Sequence, residues 1–266
     1  MLTLVPGGMG GSETYARALT GQLAGVPTIA ATAFVPGTAR GFSQGVPETV
    51  IESVRLGATT RQRLLGVASA TVHARSIRAA MATATVVHYP FTVPVPRPRR
   101  QQAMVQSLLD VQHLELPQMF SHGELLYRRR FYEGAAKRAD IVVTISEFAK
   151  RRMVERLGIA DDKVLVAHLG VDVTRFTPNL GPRDNFVLYP ARGWTHKNHA
   201  RLIEAMRILR SQIPDIRLVL TGGALESLGE LPDWVDRKGL VSVEELRHLY
   251  STAALLVFPS LYEGFG

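Results

Sequence analysis

Three stretches of this chain combine residue types that can hold a charged, oxygen-rich ligand. The first is Pro6-Gly-Gly-Met-Gly-Gly-Ser12. Its glycines let the backbone approach a ligand closely and leave free N–H groups at the positive end of the helix that follows, a geometry that suits a diphosphate. Taken by composition it is equally a plain loop, and it matches neither a P-loop nor a GxGxxG with an acidic partner. The second stretch is Tyr189-Pro-Ala-Arg-Gly-Trp-Thr-His-Lys-Asn198. Arg192 and Lys197 flank a turn there and can neutralise a nucleotide diphosphate and the charge it gains as a leaving group. Two exposed cations near a helix start are the plainer alternative. The third is Pro259-Ser-Leu-Tyr-Glu-Gly-Phe-Gly266, where Glu263 can accept sugar hydroxyls and Gly264, Phe265 and Gly266 offer backbone donors.

These stretches need elements to position them. Apolar strand-like runs alternate with helix-like runs, the pattern of a parallel sheet covered by helices. The reading places helices over 12–24, 59–81, 121–139 and 147–157, and strands over 27–35, 85–89, 103–109, 140–145 and 164–168. Ser121-His-Gly-Glu124 has capping-box spacing, Ser146 is a helix N-cap, and Gly158 is a left-handed stop. The Pro/Gly/Asn stretch before Phe186 reads as a linker at 179–185, dividing a domain over 1–178 from a partial one over 186–266. Strands then follow at 186–189, 217–221 and, as a buried strand, 255–258. Helices follow at 199–209 and from the capping box Ser242-Val-Glu-Glu245 through Tyr250. The carboxyl edge of such a sheet is where ligands bind in open α/β folds, and it would gather Arg192, Lys197 and Glu263.

Composition narrows the classes. The 266 residues are 46% hydrophobic and 20% charged, enough to bury substantial cores. No apolar run approaches the roughly 20 residues that span a bilayer. Met1 to Pro6 is shorter than a signal peptide and has no basic leader. With no cysteine there is no disulfide framework, thiolate nucleophile or Cys-ligated metal. A cytoplasmic protein fits. The formal charge of +8 points to acidic partners, with Arg97, Arg99, Arg100, Arg128, Arg129, Arg130, Lys137 and Arg138 supplying much of it. A solvated basic face is one reading, and peripheral contact with anionic membrane at its inner face is the other. Nucleic acid is disfavoured, since no zinc-finger or RNP-type signature is present. Three consecutive arginines also sweep about 200° around a helix, too wide for one recognition stripe.

Together the motifs resemble the family-four retaining glycosyltransferases. Gly239 to Ala254 followed by Leu255 to Gly266 is similar to that family's signature, and Tyr189 to Asn198 to its Gly-Arg…Lys element. Ala139 to Ser146 resembles its "AD.vi..S" strand, Leu169-Gly-Val-Asp172…Phe176 its "NGVD…F.P" loop, and Gly7 to Tyr15 its N-terminal glycine loop. The resemblance implies α/β architecture of the GT-B class, two Rossmann-like domains facing a cleft. It implies transfer of a sugar from a nucleotide-diphosphate sugar to a glycan, lipid or small-molecule acceptor with retention of configuration, in polysaccharide or glycoconjugate biosynthesis. No cofactor or metal is expected. Arg192 and Lys197 would bind the donor diphosphate, Glu263 the transferred sugar, and the Gly264–Gly266 backbone its hydroxyls. Gly10 and Gly11 would approach the donor phosphates from across the cleft.

Three departures qualify it. The family's second glutamate falls beyond Gly266, only the tail of the usual first strand precedes the glycine loop, and Leu109-Asp110 stands where relatives carry His-Asp. The expectation is a chain truncated at both ends and inactive as it stands. Either the missing histidine is dispensable or His113 supplies it as a catalytic residue; His113 as a capping or loop residue is the alternative. A GT-B sugar-nucleotide epimerase is disfavoured because its motifs differ from Tyr262-Glu-Gly-Phe-Gly266.

Overall fold

The computed structural model describes residues 1–54, 57, 59–175 and 179–265. Phe176 and Gly266 lie outside the described residues. The chain divides into two compact units, residues 1–169 and 170–264.

In the first unit, helix α1 (Gly11–Ala24) follows the glycine loop and packs Ala16 with Leu4, Val35 and Phe42. The strand expected over 27–35 is shorter and later, β1 (Ala33–Pro36), and pairs in parallel with β2 (Glu48–Ile51), which sequence reading did not anticipate. The helix expected over 59–81 is broken at His73 into α2 (Thr60–Val72) and α3 (Ala74–Ala80). Side chains compete for backbone partners at the break: His73 Nδ1 lies 2.9 Å from the Ser69 carbonyl, and Ser76 Oγ donates to the His73 carbonyl.

Strands β3 (Val86–Tyr89) and β4 (Ala103–Ser107) follow, then a short α4 (Gln112–Glu115) that sequence reading also missed. The helix expected over 121–139 begins where its cap predicts, with Ser121 accepting from the Glu124 N–H. The Glu124 carboxylate takes Arg128 at 3.1 Å. This helix is interrupted by a π turn at Arg129–Glu133, separating α5 (His122–Arg128) from α6 (Gly134–Ala136). Next come β5 (Ile141–Thr144), α7 (Glu147–Leu157) and β6 (Val164–Val166). Ser146 caps α7 through the Ala149 N–H at 3.0 Å, and Gly158 ends it at φ 63°. Among the described residues the sheet runs β3-β4-β5-β6, all parallel.

The second unit restarts the alternation with β7 (Asp184–Pro190), α8 (His199–Arg210), β8 (Arg217–Thr221), β9 (Val235–Gly239), α9 (Val243–Thr252) and β10 (Ala253–Leu256). Strand β9 was not anticipated, because Val-Asp-Arg-Lys-Gly carries one apolar side chain and no alternation. The parallel order is β10-β7-β8-β9, so β7 and β8 are central. Alternate residues of β7 serve two layers. Val187 and Tyr189 pack with Leu202 and Met206 of α8, while Leu188 packs with Leu249 of α9. Strand β10 differs from its expected buried character: it pairs with β7 on one side, and Leu255 and Leu256 are each 45% exposed. Among the described residues no helix is long and apolar enough to cross a membrane.

Candidate functional site

The loops after both central strands of the second unit carry glycines whose backbones nearly touch. Gly193 N–H donates to the Gly223 carbonyl at 3.0 Å, and Ser227 Oγ donates to the Gly193 carbonyl at 2.8 Å. A Cβ at Gly193 would stand 2.1 Å from the Ala224 carbonyl oxygen, and one at Gly222 (φ +138°) 2.5 Å from that of Ala191. Only glycine allows this lacing of the β7 and β8 loops. It leaves the Arg192 guanidinium against Gly223, with Cζ 5.2 Å from the centre of the Trp194 ring.

A second set of contacts joins the β7 loop to the segment after β10. The buried Tyr189 hydroxyl donates to the Lys197 carbonyl at 2.8 Å and lies 3.0 Å from Ser260 Oγ. Leu261 N–H donates to the His196 carbonyl at 2.8 Å, and Asn198, held at φ 61°, donates from Nδ2 to the Pro259 carbonyl at 3.0 Å. These bonds bring Lys197 Nζ to 2.5 Å from Glu263 Oε1, both side chains partly buried. His199 opens α8, its ring 4.9 Å from that of Tyr189 and tilted 44° to it, and burial lowers its pKa. Gly264 is buried and Phe265 is exposed.

Arg192, Lys197 and Glu263 are therefore carried by loops at the carboxyl ends of neighbouring parallel strands. The arrangement can offer two cations to an anion and a carboxylate to hydroxyls. Tyr189, Gly193, Gly222, Trp194 and Ser260 shape the site and were given no role by sequence reading. The Gly222-Gly223 pair directly after a strand was the available signal.

In the first unit, the glycine loop uses left-handed backbone at Gly7 (φ 75°) and Gly10 (φ 56°). Gly10 caps α1 and Gly11 opens it, with open space where a Cβ of Gly11 would stand. Glu13 reaches back to accept the Gly7 N–H at 2.8 Å. His113 is on α4, 2% exposed, with Nε2 3.3 Å from Glu133 Oε1 and an edge-on contact to Tyr132. Its imidazole is enclosed rather than presented to solvent. Burial, then the nearby Arg128, pushes its pKa down to about 4. His88, whose Nε2 lies 2.8 Å from Ser107 Oγ, is likewise held at about 4, chiefly by burial.

The arginine run is divided. Arg128 pairs with Glu124 and lies over the Phe120 and Tyr132 rings at 4.5 and 5.2 Å. The pKa of Arg138 is lowered by burial first, then by the charges of Arg97 and Arg130. Among the described residues no group of three or more His, Cys, Asp or Glu side chains is placed to hold a metal ion.

Comparison with known proteins follows the same division. Residues 9–175 match the family model Glycosyltransferase Family 4, and residues 171–266 match Glycosyl transferases group 1. The O-antigen chain mannosyltransferase B of Escherichia coli is 24% identical over 193 residues, 64% of this chain and 50% of its own. The chain spans about half the length of the curated relatives it matches. Among solved structures, WaaG, a glycosyltransferase involved in lipopolysaccharide biosynthesis, superposes with TM-score 0.61 at 15% identity, covering 95% of this chain and 72% of that one. A variant of S. aureus TarM in complex with fondaparinux, alpha-GlcNAc-glycerol and UDP gives 0.58 at 13% identity, covering 76% and 41%. At these identities the likeness is one of fold, and the fold class is GT-B with Rossmann-like α/β units.

Two outcomes follow from the geometry. Gly193→Ala forces a clash with the Ala224 carbonyl and should destabilise the second unit by about 1–3 kcal/mol in denaturant unfolding; unchanged stability would contradict the lacing. The second concerns pH. With folded pKa values of about 4 against 6.5, His88 and His113 bind fewer protons folded than unfolded between those values. Their neutral burial thus favours folding fully above pH 6.5, and that contribution is lost as pH falls from 6.5 towards 4. His113→Gln should flatten the fall in urea midpoint between pH 7 and 4.5. A mutant whose midpoint falls as steeply as wild type would show that His113 does not resist protonation.

Proposed function

Because the chain belongs to the glycosyltransferases of family 4 and group 1, we propose that the full-length protein transfers a sugar from a nucleotide-diphosphate sugar to a glycan, lipid or small-molecule acceptor with retention of configuration. The observation that carries this reading is the pairing of Lys197 with Glu263, 2.5 Å apart, on the loops after β7 and β10, with Arg192 on the same β7 loop. Arg192 and Lys197 bind the diphosphate, and they stabilise the transition state most because charge on the leaving phosphate grows there. Glu263 accepts hydroxyls of the transferred sugar, and the Gly264 to Gly266 backbone donates to them. In the absence of donor Glu263 partners the lysine, so neither half-buried charge stands alone. The leaving phosphate, on the same face as the incoming hydroxyl, takes its proton in a retaining transfer. UDP in the TarM complex supports a nucleotide donor, and the O-antigen relative supports a polysaccharide acceptor. The transfer needs no cofactor and no metal in this reading.

A second partner is favoured by the placing of Arg97 and Arg130 beside Arg138. With the exposed Arg129 and Lys137 they give the first unit a basic surface that suits peripheral contact with the anionic inner face of a membrane.

In the full-length protein, Arg192→Ala or Lys197→Ala should lower kcat/KM at least about tenfold, since a charge-assisted contact is worth about 1.5–3 kcal/mol. Wild-type kcat/KM in both would remove the diphosphate from this site, and a product of inverted anomeric configuration by NMR would exclude retention. For the basic surface, sedimentation with vesicles containing phosphatidylglycerol should fall with added salt and with Arg130→Glu/Arg138→Glu. Equal binding to neutral phosphatidylcholine vesicles would rule the electrostatic contact out.

A further inference from the structure

Arg192 is held in an unusual way for a cation at a ligand edge. A Cβ built on Gly223 would stand 3.4 Å from Arg192 Nη2, 3.5 Å from Nε and 3.6 Å from Cζ. These distances put the Nε–Nη2 edge of the guanidinium beside Gly223, in van der Waals reach. The same guanidinium carbon is 5.2 Å from the centre of the Trp194 indole. The backbone of Trp194 is tied back to the same loop, its main-chain N–H donating to the Arg192 carbonyl at 2.8 Å, and its ring meets His196 at 5.6 Å, tilted 38°. Trp194 is nevertheless 46% exposed and belongs to no hydrophobic cluster. A large aromatic ring left half in solvent beside one arginine contributes little to the core. What it does contact is the side chain whose orientation decides whether a phosphate meets both arms of the fork or one.

We propose that Trp194 is a positioning residue for the phosphate site: its ring holds the Arg192 guanidinium, beside Gly223, so that the fork meets a diphosphate with both arms. This rests on the reading of Arg192 as a diphosphate ligand and adds the residue that orients it. A free arginine has several rotors to immobilise on binding, and ordering them beforehand removes that cost from the binding step. The indole face also attracts the cation without offering it a competing anion.

The test uses the full-length protein and the diphosphates UDP, GDP and ADP, titrated by calorimetry against the matching nucleosides. Trp194→Ala should weaken the preferred diphosphate by about three- to fivefold and leave its nucleoside unaffected, while Trp194→Phe should recover most of the loss. In an Arg192→Ala background Trp194→Ala should have no further effect, because the group it orients is gone. In full-length protein that keeps Trp194 as its single tryptophan, with Trp234→Phe among the changes, the emission is that of Trp194. That emission should change with diphosphate only while Arg192 is present. Equal losses from Trp194→Ala with and without Arg192, or an equal loss for the nucleoside, would overturn the proposal while leaving Arg192 as a ligand. No loss from Arg192→Ala itself would instead refute the donor-site reading beneath it. Thermal unfolding of each variant separates these results from misfolding, and a Tm within a few degrees of wild type is expected for a half-exposed side chain.

Discussion

The hydroxyl of Tyr189 donates to the Lys197 carbonyl, and the Ser260 hydroxyl is placed to donate to it in return. Tyr189 is fully buried near the end of a central strand, where burial raises its pKa and keeps it a neutral donor. Leaving such a group unpaired would cost about 1–3 kcal/mol, so the folded second unit favours the state in which both loops come to it. One loop carries Lys197 and the other Glu263. The stability of the sheet and the geometry of the candidate site therefore depend on the same bonds.

Parallel pairing explains why those loops are available. Strands β7, β8 and β10 run in one direction, so their following segments emerge at one edge. Emergence at an edge does not yet make a site, because the loops must come within side-chain reach of one another. Two devices achieve that: polar tethers between the β7 and β10 loops, and side-chain-free backbone between the β7 and β8 loops. The second is the less forgiving, since a clash at 2.1 Å with a carbonyl oxygen cannot be relieved by a rotamer change.

Charge in the first unit is handled differently. Its imidazoles, the buried His113 and the partly buried His88, are kept neutral by desolvation, while the cations stay outside. Arg128 is the exception to the basic surface, drawn onto the Phe120 and Tyr132 rings and paired with Glu124. The π turn at Arg129–Glu133 lies within the arginine run and changes the angular spacing of the residues that follow it.

Elements governed by local rules were legible from sequence. Helix α7 matched in both bounds because Ser146, an amphipathic run and Gly158 act within a few residues of one another. Strand β8 matched as well, being continuous β-branched and aliphatic sequence closed by two glycines. The types of residue at the second unit's edge were legible for the same reason: Arg192, Lys197 and Glu263 each stand one loop after an apolar strand. Strands β2 and β9 were not, since their pairing energy comes from neighbours rather than from their own pattern. Nor was the break at His73, where side chains share helix carbonyls with the backbone, or the enclosure of His113 by Glu133 and Tyr132, some twenty positions away. The sequence by itself determined an alternating α/β chain and the residue types that its loops carry. Which groups meet was decided only in three dimensions, because a 2.5 Å contact between residues 66 positions apart depends on strand order and on backbones close enough to exclude a single methyl group.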